Sequence, residues 1–419
     1  MYISLRDRPA AGRESAPSRS PASRPPVGRV VVILGVVSLL TDVSSESVSA
    51  ILPLYLTLVM GLSTVAYGLI DGLYQGISAL VRLGGGWLAD ATDRPKWVAF
   101  LGYGLSALAR VFLLFASGAA GIAAVVTADR IGKGIRTAPR DAMISTSTPS
   151  EHLGRAFGVH RMLDTIGAAL GPLIAFGLLL LVPDGYSVVL VVSLAFALAG
   201  VALLGLLGPD VRTRPERNGP TPPPFRWHDL TDRRLRPLLA VAGVLGLLTV
   251  GDGFIYLALL DHGEVNVSWF PLFYVGTNLA YLLLAVPIGR LADRIGRART
   301  LVAGHLALVG AYLCSVLPTS TAAATIGTLL LLGTFYAATD GVIAAVAGRL
   351  VPVQARTSGI AAAQTVVALA RMIASAGFGL LWLLLGPATA MTAVAALLVV
   401  AILAAATRVG RLDGALVTP

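Results

Sequence analysis

Gly86-Trp87-Leu88-Ala89-Asp90-Ala91-Thr92-Asp93-Arg94-Pro95-Lys96 returns later in the chain as Gly289-Arg290-Leu291-Ala292-Asp293-Arg294-Ile295-Gly296-Arg297-Ala298-Arg299. Each copy follows one apolar run and precedes another, at matching places in two halves of the chain. A G-x-L-A-D-x-x-x-R turn repeated between hydrophobic segments marks a duplicated membrane protein, because a repeat buries its apolar faces only together with its neighbours or in lipid.

Composition points the same way. The 419 residues are 56% hydrophobic and 13% charged, with a mean hydropathy of +0.79, whereas a soluble domain carries about 25% charged residues. A single cysteine, Cys314, excludes a disulfide framework and any cysteine-rich metal site. Segments of about 20 apolar residues, long enough to span a bilayer, fall near 29–59, 64–89, 97–116, 119–143, 157–182, 186–208, 237–260, 269–291, 299–317, 322–350, 356–384 and 387–407. The net charge of +10 is then a matter of topology. Arg94, Lys96, Arg155, the 212–236 cluster, Arg290, Arg294, Arg297, Arg299 and Arg356 all fall in one set of loops. The opposite loops hold no lysine or arginine, only acids and His262. The positive-inside rule places both termini in the cytoplasm and leaves no nucleic-acid footprint. Expected domains are a disordered cytoplasmic tail at 1–28, six-helix bundles at 29–208 and 237–407, a proline-rich cytoplasmic linker at 209–236, and a tail at 408–419.

The duplicated turn, placed between the second and third span of each half, resembles the major facilitator superfamily over about Arg29 to Arg408. The resemblance implies an all-α membrane protein of twelve transmembrane helices in two parallel repeats, working as a monomer by alternating access in the cytoplasmic membrane. The finer pattern looks like a poorly characterised prokaryotic branch similar to the drug:proton antiporters. Carried onto this sequence, the cytoplasmic gate comprises Gly86, Asp90, Arg94, Asp141, Gly289, Asp293 and Arg297. Asp90 would face the positive end of a helix beginning near Arg356, and Arg94 would pair with Asp141. Asp93 and Pro95 depart from the usual glycine and basic residue, whereas the C-terminal copy is intact.

Ionisable side chains inside spans are costly and therefore candidates for function. Asp42 and Glu46 lie one turn apart on the first span, with Ser45, Ser49 and Pro53 extending the same stripe. Two close carboxylates in a low dielectric repel, which suits one of them to exchanging a proton. The plainer alternative pairs them permanently with Arg110 or Arg82. On the fourth span Asp129, Lys133, Arg136 and Arg140 share one face, with Arg130, Gly134, Thr137 and Asp141 beside it. Arg130-x-x-x-Gly134 is similar to the superfamily's fourth-helix motif, whose arginine is implicated in proton transfer. Asp42, Glu46, Asp129 and Arg130 are thus the proton-coupling candidates. Ser45, Ser49, Arg110, Lys133, Arg136 and Asp252 are the cavity candidates, and a cationic row there favours an anionic or zwitterionic substrate. Gly167, Gly171 and Pro172 resemble the core of the fifth-helix antiporter motif without its trailing glycines, and small-residue packing alone also explains them. Asp71 suits an external gate, and Arg371 with Asp340 suits a structural salt bridge.

No phosphate-binding loop, H-E-x-x-H or cysteine pair is present, so neither an enzyme nor a bound cofactor or metal is expected. The expected function is proton-driven efflux of a small organic molecule by an antiporter. A symporter importing an anionic metabolite and a non-transporting receptor of the same fold remain open alternatives.

Overall fold

The computed structural model describes residues 28–92, 94–210, 235–261, 265–316, 321–351 and 356–415. Residues 1–27 of the expected tail, almost all of the linker and Asp93 lie outside these, as do the surroundings of Gly86 and the side chain of Asp90. Among the described residues every regular element is helical. In chain order they are α1 (Arg29–Leu54), α2 (Thr64–Thr92), α3 (Pro95–Leu113), α4 (Gly118–Thr146), α5 (Leu153–Leu181), α6 (Tyr186–Leu207) and α7 (Arg236–Leu247). Then follow α8 (Asp252–Asp261), α9 (Phe270–Ile295), α10 (Arg297–Cys314), α11 (Thr321–Thr339), α12 (Val342–Leu350), α13 (Arg356–Leu385) and α14 (Pro387–Ala415).

Among the described residues, nine segments are long and apolar enough to cross a membrane. Helices α2, α4 and α10 fall outside that set yet pack within the same bundle, α4 because six charged side chains interrupt it. Exposed Leu101, Phe112, Leu206, Leu283 and Leu403 leave an apolar outer surface that water would not tolerate and lipid would.

Two expected spans are broken. The 237–260 segment divides into α7 and α8, and the 322–350 segment into α11 and α12. At the first break the Tyr312 hydroxyl donates to the Leu248 carbonyl at 2.9 Å and accepts from the Val250 amide at 2.7 Å, replacing bonds the helix has lost. At the second, Gly341 takes φ +79°, a conformation open to glycine and costly for other residues. Proline has a milder effect in α1, where Pro53 is followed by a π turn over Tyr55–Val59.

Packing falls into two groups. Within α1–α6, α1 lies against α5 and α6, and α4 against α2 and α3. Within α7–α14, α11 lies against α9 and α10, and α13 against α7 and α12. The groups meet chiefly where α2 crosses α13 and where α5 meets α9.

Candidate functional site

The groups separate around a cavity of about 620 Å³. Helix α1 contributes Glu46 and Ser49, and α4 contributes Arg130 and Lys133. Helix α5 adds Arg161 and Asp164, and α2 adds Tyr67, Asp71 and Tyr74. The facing wall carries Asp252 and Tyr256 from α8, Tyr274 and Tyr281 from α9, and Tyr336 and Asp340 from the end of α11.

One end is sealed. Early in α2, Thr64 donates to the Gly379 carbonyl of α13 at 3.0 Å, and Ser375 of α13 donates to Asp71 at 2.6 Å. Gly68 and Gly72, one turn apart, admit the α13 backbone so closely that a Cβ on Gly72 would lie 2.5 Å from the Met372 carbonyl, and Gly76 one turn on admits the Met372 side chain. Beside this seam the Phe176 and Trp269 rings stand 5.7 Å apart, joining α5 to the turn before α9. At the opposite, arginine-rich end, Gly154 and Gly158 of α5 and Gly289 of α9 have nothing within 4 Å of their Cβ positions. Arg161, on the cavity wall toward that end, is 81% exposed.

Not all of the expected site residues meet there. Glu46, Ser49, Arg130, Lys133 and Asp252 line the cavity; Ser45, Arg110, Arg136, Asp42 and Asp129 do not. Ser45 is buried against its own helix, donating to the Thr41 carbonyl at 2.8 Å. Arg110 lies 3.3 Å from Asp129, whose other oxygen is held by Arg130. Arg110 and Asp129 sit behind the wall, while Arg130 reaches it with its guanidinium 3.7 Å from the centre of the Tyr74 ring. Arg110 is therefore committed to Asp129 rather than to Asp42 or Glu46. Arg136 stacks on Tyr103 at 4.5 Å with one buried guanidinium nitrogen unbonded. Asp42 faces α5, where Asp164 is its neighbouring carboxyl group.

Sequence reading missed Asp164, although an acid within an apolar span was the available signal. Asp164 also lies 3.4 Å from Arg161 and 3.9 Å from Arg140. Arg140 in turn donates to Ser38 at 3.2 Å, and Ser38 meets His160 at 3.1 Å, so His160 belongs to a buried polar cluster. His305 bonds the Leu301 carbonyl at 2.8 Å within its own helix. No group of metal-ligating side chains occurs among the described residues.

The turns expected to form a gate are organised differently from the sequence expectation. Asp141 is taken by Arg140 at 3.0 Å, while Arg94, the first residue before α3, is exposed. In the second copy Arg297 bonds Asp293 at 2.8 Å, stapling its own turn between α9 and α10. Gly167 and Gly171 set the close approach of α5 to α1, beside Leu39 and Glu46 respectively, and Pro172 is buried next to them. The expected Arg371–Asp340 salt bridge is absent among the described ion pairs. The Arg371 guanidinium instead lies over the Phe335 and Tyr336 rings, 5.8 and 5.9 Å from their centres.

A two-group helical bundle enclosing a central polar cavity agrees with the comparisons to known proteins. The profile of the Major Facilitator Superfamily matches residues 34–375 and 267–414. The chain belongs to the Major Facilitator Superfamily. An uncharacterized MFS-type transporter of Methanocaldococcus jannaschii is 31% identical over 66% of this chain and 69% of its own length. An uncharacterized protein of Mycobacterium tuberculosis is 32% identical over 70% of this chain and 72% of its own. Among solved structures, the nucleoside transporter NupG superposes with a TM-score of 0.78 over 90% of this chain and 99% of that one, at 13% identity, a likeness of fold alone. As a superfamily member the chain is a membrane transporter, not an enzyme, and its substrate is a small molecule.

Proposed function

We propose that this transporter is a proton-coupled carrier that exports a small organic molecule by alternating access. One observation carries the reading: the central cavity is closed at one end by the α2–α13 seam, while its wall reaches exposed Arg161 toward the other. In a carrier built of two rocking halves, such a seam is the contact that must break for the site to face the other side. Adding α2, α4 and α10 to the nine apolar segments gives twelve spans, six from 29–208 and six from 237–407. The positive-inside rule puts the arginine-rich end, both tails and the 209–236 linker in the cytoplasm of a monomer in the inner membrane. On that orientation the conformation is inward-facing. Gly86, Asp90, Arg94, Asp141, Gly289, Asp293 and Arg297 then belong to the gate that forms when the cytoplasmic side closes.

Coupling falls to Asp42 and Glu46 on α1, with Asp129 and Arg130 behind and on the wall. The nearness of Asp42 to Asp164 of α5 supports this, since two neighbouring carboxylates in a low dielectric repel and the pair suits proton exchange. Lys133, on the wall with no carboxylate within ion-pair distance among the described residues, favours as second reading a symporter that imports an anionic metabolite.

The test is reconstitution in liposomes carrying an internal pH dye and a screen for solute-induced proton flux. Export coupled to protons predicts solute uptake accompanied by proton efflux from acidified vesicles, lost in Glu46→Gln. Solute and protons entering together would replace export with symport. Specific binding without any flux would overturn the carrier reading in favour of a receptor.

A further inference from the structure

We propose that the cavity takes organic ammonium compounds, holding the cationic nitrogen between Asp71 and Asp252 beneath the sealed end. This rests on the transporter reading and adds a substrate class to it. The two carboxylates come from opposite helix groups, Asp71 from α2 and Asp252 from the first position of α8, and both line the cavity. They converge because glycines flank Asp252. The Asp71 carboxylate packs where a Cβ on Gly251 would stand, and the Tyr67 hydroxyl where a Cβ on Gly253 would stand.

Neither carboxylate has a lysine or arginine within 4.0 Å among the described residues. Asp71 receives the Ser375 hydroxyl at 2.6 Å, and Asp252 the Tyr336 hydroxyl at 2.7 Å. Contrast Asp129, which is clasped by two arginines. Two acids held at membrane depth by neutral partners and no ion pair among the described residues are poorly compensated, and a bound cation supplies what the protein does not.

The surroundings select the kind of cation. The partly exposed rings of Tyr274 and Tyr336 face the same zone, with the buried Tyr67 and Tyr256 rings packed behind them, and an ammonium ion is attracted to aromatic faces. Tyr67 is 1% exposed, and its hydroxyl has no hydrogen-bond partner among the described residues, which leaves it available to a ligand. The box is braced from behind, because Tyr256 bonds Thr277 at 2.7 Å and its ring meets that of Tyr274 edge-on at 4.8 Å. Tyr74 already has Arg130 on its face at 3.7 Å and Tyr336 has Arg371 at 5.9 Å, whereas no cation lies over Tyr274 among the described residues. A strongly hydrated metal ion would gain little from such phenolic walls, whereas an alkylated ammonium trades its weak hydration for ring faces and two carboxylates. A volume of 620 Å³ leaves room for an aromatic or aliphatic substituent on the nitrogen.

The test is equilibrium binding to the purified full-length protein with three probes of similar size: benzyltrimethylammonium, its uncharged carbon isostere neopentylbenzene, and benzylsulfonate. The proposal predicts saturable binding of benzyltrimethylammonium, not displaced by the other two. Asp71→Asn and Asp252→Asn should each weaken it by about 30-fold or more, as when one partner of a buried charge pair is removed. A milder variant, Tyr274→Leu, should weaken it by about fivefold, the scale of one lost cation–π contact. Cooperative thermal unfolding of each variant establishes that it is folded. Absence of saturable cation binding, or cation binding indifferent to both asparagine variants, overturns the ammonium site. Benzylsulfonate binding that depends on Lys133 would overturn it in favour of an anion. Saturable cation binding without counterflow in vesicles would leave this site standing and remove the transporter reading instead.

Discussion

Replacing Gly72 by alanine tests whether the α2–α13 seam decides which end of the transporter is closed. The new Cβ would lie 2.5 Å from the Met372 carbonyl oxygen, where ordinary contact begins at 3.4 Å. That oxygen is helix backbone and has no rotamer to escape through, so the two helices must part by most of an ångström. Overfilling a tight interface costs about 1–3 kcal/mol. Only the state with the seam closed bears this cost, so the ratio of open-seam to closed-seam molecules should rise about 5- to 150-fold. Ser63 and Thr389, exposed beside the seam on different helix groups, provide label sites. In a Cys314→Ser background, nitroxides at Ser63→Cys and Thr389→Cys would report the separation by pulsed dipolar spectroscopy. Gly72→Ala should then show a longer-distance population that grows relative to the parent. Gly177→Ala, at a position with nothing within 4 Å of its Cβ, should leave the distribution unchanged. An unchanged distribution in Gly72→Ala, with unaltered unfolding, would mean that the helices absorb the methyl locally. The seam would then not be the element that holds the end shut.

Three further outcomes follow from individual contacts. Asp129→Ala leaves Arg110 and Arg130 facing each other in a buried site and should destabilise the protein by about 3–5 kcal/mol; an unshifted unfolding midpoint in a detergent titration would show that cavity water already solvates the arginines. Tyr312→Phe removes both hydroxyl bonds at the α7/α8 break, at a cost of about 1–3 kcal/mol. Amide exchange at Val250 should quicken in that variant, and unchanged protection would mean that another group caps the break. Asp293→Ala breaks an i,i+4 pair whose acid is 56% exposed, so stability should change by no more than about 0.5 kcal/mol. Any large loss of transport in Asp293→Ala would therefore report a role in the opposite conformation rather than a folding defect.

The fold was legible because a membrane span announces itself by length and hydropathy, and the repeated Gly86–Arg94 and Gly289–Arg297 turns supplied the register between halves. The breaks were not. Periodicity is blind to the unwinding at Leu248–Gly251, since its compensation by Tyr312 comes from a helix far along the chain. Site residues divided in the same way. Glu46, Ser49, Arg130 and Lys133 reach the cavity because α1 and α4 are continuous and the helical period places their faces. Arg110 and Arg136 failed to reach it for a reason spacing cannot reveal. Each is drawn to a partner on a neighbouring helix, Asp129 for Arg110 and the Tyr103 ring within its own group for Arg136. The tyrosine wall is not legible in sequence, because aromatics are common at membrane interfaces and only the convergence of α2, α8, α9 and α11 distinguishes it from packing.

The two helix groups satisfy their charges by different means, and this bears on how they divide the work. In α1–α6 charged side chains answer one another: Asp129 with Arg110 and Arg130, Asp141 with Arg140, Asp164 with Arg161. A network of that kind changes its internal pairing when a single proton arrives, because each partner released becomes available to the next. Across the cavity, Asp252 has only a phenol, and Asp340 has no ion pair among the described residues. Those carboxylates have no internal network to rearrange and respond instead to what enters the cavity. Proton handling in the first group and ligand recognition across from it would thus be joined at Asp71. That side chain is carried by α2, bonded to α13, and packed against the break that begins α8. Because it sits on the seam itself, whatever occupies or leaves the space beside Asp71 acts directly on the contact that separates the two conformations.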